Sequence, residues 1–164
     1  MKVYLVLIFS LLPFELYSQS LFNERQSKCE TKTFQIEKDS ILAFYEPKEA
    51  LLLDILKKLE TRNLKKIKGE LLLQIMIDPT GHPCCISLTN QTNVTTKRLN
   101  IVSSVDALTG WKPPLMKTNN GNTCAIVKLI FTDDKYIAMR LGFTSKSKFI
   151  VLGTTELKRN IKDN

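Results

Sequence analysis

Gly69-Glu70-Leu71-Leu72-Leu73-Gln74-Ile75-Met76-Ile77 is followed at once by Asp78-Pro79-Thr80-Gly81. Leu71, Leu73, Ile75 and Ile77 recur at the two-residue period of a strand, with Glu70, Gln74 and Asp78 on the other side, which predicts a half-buried strand. Asp78-Pro79-Thr80-Gly81 is turn chemistry: Pro79 presets φ, Asp78 can bond the backbone that follows it, and Gly81 accepts a positive φ. A hairpin is expected, with Cys84, Ile86 and Leu88 on one face of the returning strand and Cys85, Ser87 and Thr89 on the other. The polar run Asn90 to Asn93 ends it.

Downstream, a helix is expected to start at Thr95 or Thr96, either of which can cap it. Ile101, Val102, Val105 and Leu108 form its apolar stripe, and Gly110 suits its stop. Trp111-Lys112-Pro113-Pro114 cannot continue a helix, since a proline excludes the α region for the residue before it. Trp111 reads as an aromatic lid over the core rather than a ligand platform. Asn119-Asn120-Gly121 is a second turn signal, and Cys124 to Phe131 reads as a mostly buried strand whose register is ambiguous. The fold class is therefore α+β, a ββαβ module with a small antiparallel sheet packed against helices and with N- and C-terminal extensions.

In order and spacing these residues resemble the C-terminal domain of TonB, the periplasmic energy transducer, in its Bacteroidetes-type form. The features that carry the resemblance are Gly69, the strand Leu71 to Ile77, Asp78 to Gly81, Ile86 and Leu88, the helix to Leu108, Trp111-Lys112-Pro113, Asn120-Gly121 and Ile126 to Phe131. Glu49 to Leu56 is similar to the helix that often precedes that module, so the likeness covers about residues 46 to 133. It implies a protein-binding domain that takes an extended segment of an outer-membrane receptor as an added strand, through main-chain bonds at a sheet edge. On that basis the partner-binding edge is expected at Cys124, Ile126, Lys128 and Ile130, and Gly69, Asp78, Gly81, Trp111, Pro113 and Gly121 are expected to be structural. A full transducer would also have a membrane anchor and a Pro-rich spacer, whereas residues 20 to 46 contain no proline.

At the N-terminus, Lys2 precedes the short apolar run Val3 to Leu12, and Leu16-Tyr17-Ser18-Gln19-Ser20 supplies small residues for cleavage. Residues 1–18 are thus expected to be a secretory signal peptide, giving a periplasmic or secreted protein. An uncleaved signal acting as an inner-membrane anchor is the alternative, although the run is shorter than the roughly 20 residues of a membrane span. Cleavage removes Lys2 and Glu15 together and leaves the net charge of +8 unchanged. Such a charge favours acidic partners or anionic lipid surfaces, but the lysines are spread along the chain as on an ordinary solvated surface, and with no aromatic-interleaved basic motif nucleic acid is not expected.

Four cysteines in an exported chain, Cys29, Cys84, Cys85 and Cys124, allow two disulfides with three connectivities. Adjacent strand residues point to opposite faces, so Cys84 and Cys85 are not expected to pair with each other. The favoured pattern joins Cys124 to one of them and Cys29 to the other. A metal site lacks further ligands, because His82 is the only histidine and no Cys-x-x-Cys occurs. No cofactor is expected, and neither is an enzyme: nothing sets a nucleophile or an orienting acid beside His82, and no Gly-rich phosphate loop is present.

The remaining organisation is an arm over residues 19–45, the module over 46–133 and an extension over 134–164. In the arm, Thr33 to Ile36 and Ile41 to Tyr45 can form short strands. An amphipathic helix is expected from Pro47 to about Glu60 with Leu52, Ile55, Leu56 and Leu59 buried, and Tyr136 to Leu141 and Phe149 to Leu152 can add strands. Two functions follow. One is a protein-interaction module, with self-pairing through its own edges as a variant. The other is a secreted, disulfide-stabilised structural or effector protein, with a reactive thiol at Cys84 or Cys85 as its chemical extreme.

Overall fold

The structure, a computed structural model, describes residues 20–29, 34–36, 42–59, 64–114, 121–142 and 148–157. The expected signal peptide, the Asn119-Asn120 turn and the tail beyond Leu157 lie outside them. In chain order the elements are β1 (Glu24–Arg25), β2 (Phe34–Ile36), β3 (Phe44–Tyr45), α1 (Ala50–Lys58), β4 (Gly69–Ile77) and β5 (Pro83–Thr92). They continue with α2 (Thr96–Leu99), α3 (Ile101–Asp106), β6 (Trp111–Lys112), β7 (Asn122–Phe131), β8 (Lys135–Leu141) and β9 (Phe149–Glu156).

The fold is built on one largely antiparallel sheet in the order β1-β5-β4-β7-β8-β9, with β2 running parallel beside the start of β7. Strands from the arm and from the C-terminal extension thus join those of the central module in a single layer. Along β4 the expected apolar face holds, with Leu71, Leu73, Ile75 and Ile77 fully buried opposite Leu129, Val127, Ala125 and Thr123 of β7, but the strand is not half-buried, since Gln74 and Met76 on its other face are covered as well. This resolves the β7 register, with Val127, Leu129 and Phe131 turned inward.

Helices cover that inner face only, the two-layer solution for a sheet with one apolar side. α1 packs against β8, β9 and α3, burying Leu51, Leu52, Ile55 and Leu56, while Lys57 and Lys58 sit at its negative C-terminal pole. Its nine residues begin three later than Pro47, because the backbone there turns first: the Ala50 N–H donates to the Pro47 carbonyl. The second helical stretch starts where expected, with the Thr95 hydroxyl accepting from the Arg98 N–H at 3.4 Å. It is two short helices rather than one. Asn100, at φ 56°, breaks it and lets both Leu99 and Ile101 reach the core.

Two expectations fail here. β7 is not an edge. It is flanked by β4 on one side and by β2 and β8 on the other, so Cys124, Ile126, Lys128 and Ile130 lie inside the sheet. Likewise Cys124 bonds neither Cys84 nor Cys85; the disulfide is Cys29–Cys84, and Cys85 and Cys124 stay buried thiols. The reason is strand order. Met76 of β4 faces Cys84 on one side and Cys124 on the other, so those two cysteines are two strand spacings apart, roughly 9.5 Å. A disulfide tolerates a Cα separation of about 7 Å at most.

Candidate functional site

Two of the expected motifs, Asp78 to Gly81 and Trp111 to Pro113, meet at the turn end of the β4–β5 hairpin. A single oxygen of Asp78 accepts from the Thr80 N–H at 2.8 Å, the Thr80 hydroxyl at 2.6 Å and the His82 N–H at 2.8 Å. Burial acts to raise the Asp78 carboxyl, but these donors and the nearby His82 outweigh it and hold the group below its ordinary value. Gly81, at φ 90°, lies so close to the Trp111 carbonyl that a Cβ there would meet its oxygen at 2.5 Å and the Pro113 ring at 3.6 Å. Asp78-Pro79-Thr80-Gly81 and Trp111-Lys112-Pro113 are therefore one packing unit. Gly69 opens β4 at φ 110°, whereas nothing crowds Gly121.

Trp111 is 2 % exposed and is a lid, as its sequence context suggests. Its ring meets Tyr45 edge-on at 5.4 Å as β6 pairs with β3, and the Arg140 guanidinium stands 5.5 Å from its centre. The indole N–H is buried without an acceptor among the described residues. Burial together with the Asp54 carboxylate, whose oxygen accepts from the Tyr45 hydroxyl at 2.9 Å, raises the Tyr45 phenol far above its usual value.

His82 does have a hydroxyl and an acid beside it, Thr80 at 2.7 Å and Asp78 at 3.4 Å. The Thr80 proton is already given to Asp78, so the ring nitrogen must donate to Thr80 rather than take its proton. The cluster is a turn clasp. Among the described residues, no three His, Cys, Asp or Glu side chains come together as metal ligands. Burial, with the Asp106 and Glu24 charges adding to it, pushes the Cys85 thiol up to about 12. With Cys84 in a disulfide, no reactive thiolate sits at this pair.

A shallow polar depression of about 420 Å3 lies between Glu24 and the turn from Asn90 to Lys97. Its groups answer one another: Asn90 bonds Thr92, Thr96 and the Val94 carbonyl, and Thr96 donates to Glu24. The place left unanswered is the far edge of the sheet. β9 is its last strand, paired along one side with β8 and bonded on the other to no strand among the described residues. Phe149, Ile150 and Val151 are 36 %, 56 % and 54 % exposed. On the face away from the helices, Phe149 pairs with Leu141 and Val151 with Met139, and Met139 in turn faces Lys128 of β7. Lys128 holds Glu70 at 2.6 Å and lies 6.0 Å from the centre of the Phe149 ring. On the inner face the backbone of α1 crowds Gly153, leaving 3.1 Å between a Cβ there and the Glu49 carbonyl.

Sequence reasoning placed the edge one hairpin too early. The signal for β9 was present in Phe149-Ile150-Val151-Leu152, an apolar run bounded by Gly153, but such a run reads as buried core, and here three of its four residues are exposed. No protein-family model, no curated protein and no solved structure matches the chain.

Proposed function

We propose that this chain is an exported protein-interaction module, built on the plan of the TonB C-terminal domain, that binds an extended partner segment by adding it to β9. The observation that carries the reading is the eight-residue edge strand bearing Phe149, Ile150 and Val151 in solvent. A long apolar edge invites pairing, and β9 has no proline and no charge before Glu156, although a bulge at Leu152 interrupts its pairing with β8. Support for the plan comes from the ββαβ order and from the Asp78–Gly81 turn packed against Trp111-Lys112-Pro113. The disulfide Cys29–Cys84 is compatible with an oxidising compartment, and no described helix is long and apolar enough to cross a membrane.

Main-chain bonds along β9 supply affinity, and alternate apolar side chains of the partner meet Phe149 and Val151. With a net charge of +8, acidic flanks on the partner speed the encounter. An outer-membrane receptor segment or another envelope protein fits this chemistry.

The test is selection from a displayed library of random 12-residue peptides against the full chain, followed by amide mapping with a selected peptide. Shifts confined to Phe149–Glu156 and the adjoining β8, lost in Val151→Asp, are expected. Saturable binding that maps elsewhere would sink the reading, as would a wild-type dimer that Val151→Asp splits, since the edge would then belong to a second copy. The second reading, a disulfide-stabilised structural or effector protein, draws on the covalent tie between Cys29 and β5 and expects no saturable peptide at all.

A further inference from the structure

At the opposite end of the sheet a strand has already been added. Residues 24–26 run along β5: Glu24 and Arg25 lie antiparallel to Leu88 and Ser87, and the Gln26 N–H donates to the Ile86 carbonyl at 2.8 Å. Just before them, side chains rather than a strand hold the arm. The Leu21 N–H donates to Gln74 Oε1 at 2.9 Å and the Phe22 N–H to Ser87 Oγ at 3.3 Å, while the Ser87 hydroxyl donates to the same Gln74 oxygen at 2.5 Å. Gln74 and Ser87 are both 0 % exposed.

A buried polar pair on a sheet face is costly unless it is bonded, and this one is bonded to main-chain N–H groups of Leu21 and Phe22, where the chain bends just before β1. It reads backbone, not side chains. The arm itself buries little: Leu21 is 51 % exposed, Glu24 and Arg25 are exposed, and β1 is two residues long. Besides these bonds and the Thr96 hydroxyl donating to Glu24, it is tied by the covalent bond at its end, from Cys29 to Cys84 at the start of β5.

We infer that the β5 edge with Gln74 and Ser87 is a second strand-accepting site, held shut by residues 20–29 through Cys29–Cys84 and opened when a dithiol reduces that bond. The site is separate from β9 and stands whether or not β9 binds a partner. In the opening step one thiolate of the dithiol attacks a sulfur of the Cys29–Cys84 bond and forms a mixed disulfide. The second thiol of the reductant then displaces it. Cys29 and Cys84 end as thiols, and the dithiol supplies two electrons and two protons as it becomes a disulfide. Both cysteines are only half-buried, so a reductant reaches them. Once the bond is cut, the arm is an intramolecular ligand at an effective concentration of about millimolar. An extended segment from another chain can then displace it.

The experiment uses the full chain with and without dithiothreitol, and hydrogen exchange is followed along it. Reduction is expected to speed exchange at residues 20–29 by roughly tenfold or more, with β4, β7 and β8 unchanged. A labelled synthetic peptide of residues 20–28 should bind the reduced protein and not the oxidised one. Cys29→Ser combined with Cys84→Ser should reproduce both results without reductant. Unchanged exchange on reduction, or equal peptide binding by the oxidised protein, overturns the proposal. So does faster exchange throughout β4 and β7, which would make the bond a staple for the whole sheet. Because the readouts sit on residues 20–29 and β5, failure here is distinguishable from failure at β9.

Discussion

Asp106 illustrates how one side chain is set by its neighbours. Its carboxylate accepts the Cys85 N–H at 2.7 Å at the end of α3. Burial raises the carboxyl, and the Cys85 bond and the Lys28 charge offset that only in part. A carboxyl whose folded value lies above its unfolded one contributes stability that is complete below the unfolded value, about 3.9, and lost as pH rises through the folded value. At neutral pH the folded protein therefore carries a desolvation cost at this position. Asp106→Asn keeps the acceptor without the charge, so its melting temperature should exceed that of wild type at pH 7, with the gap closing near pH 3.5. A variant less stable than wild type at pH 7 would show that the attraction to Lys28 outweighs burial. At this scale much was legible from sequence: Asp78, Gly81 and Trp111 do what their local chemistry suggests, because a turn or a lid needs few distant facts. The cysteine pairing was not legible, since it depends on which strand lies between two others.

Among the elements, the segment from Thr95 to Ala107 shows where periodicity misleads. A single helix cannot bury both Leu99 and Ile101, since two residues at 3.6 per turn point about 200° apart. The chain solves this by stepping through the left-handed region at Asn100, where the Asn100 N–H donates to Lys97 and its carbonyl accepts from Ser104. Val102, expected in the stripe, is only half-buried as a result, while Ser104 turns inward and its hydroxyl donates to the Lys58 carbonyl of α1. Asparagine tolerates this backbone region and β-branched residues do not. Asn100→Gly should leave stability within roughly 0.5 kcal/mol of wild type, and Asn100→Val should cost about 1–2 kcal/mol in urea unfolding. Equal costs for the two would mean that the side chain, not the backbone, matters at this position. The expected ββαβ order was readable because each strand and cap carries its own pattern. The kink was not, because it answers to packing against α1 and β5.

For the molecule as a whole, the module boundaries 46–133 expected from the sequence leave out much of what the flanking chain contributes. β8 and β9 come entirely from the extension, and β8 covers the side of β7 from Val127 to Phe131. Tyr136 packs edge-on against Phe131 at 5.3 Å, and its hydroxyl donates to the Leu64 carbonyl; Ala138 is fully buried opposite Leu129. α1, inside the module, has its main sheet contacts on β9 and β8. Cutting at 133 therefore strips α1 of most of its footing and bares an apolar strand, which invites aggregation. Each fully buried aliphatic or aromatic side chain released costs about 1.5–3 kcal/mol, against a total stability of only about 5–15 kcal/mol for a typical domain. A fragment of residues 46–133 should be insoluble or lack dispersed amide resonances, whereas one of residues 19–157 should melt cooperatively within a few degrees of the full chain. Both fragments can be compared by amide spectra and thermal melts under oxidising conditions. A soluble, cooperatively folded 46–133 fragment would mean that the extension is an appendage and not part of the folded core.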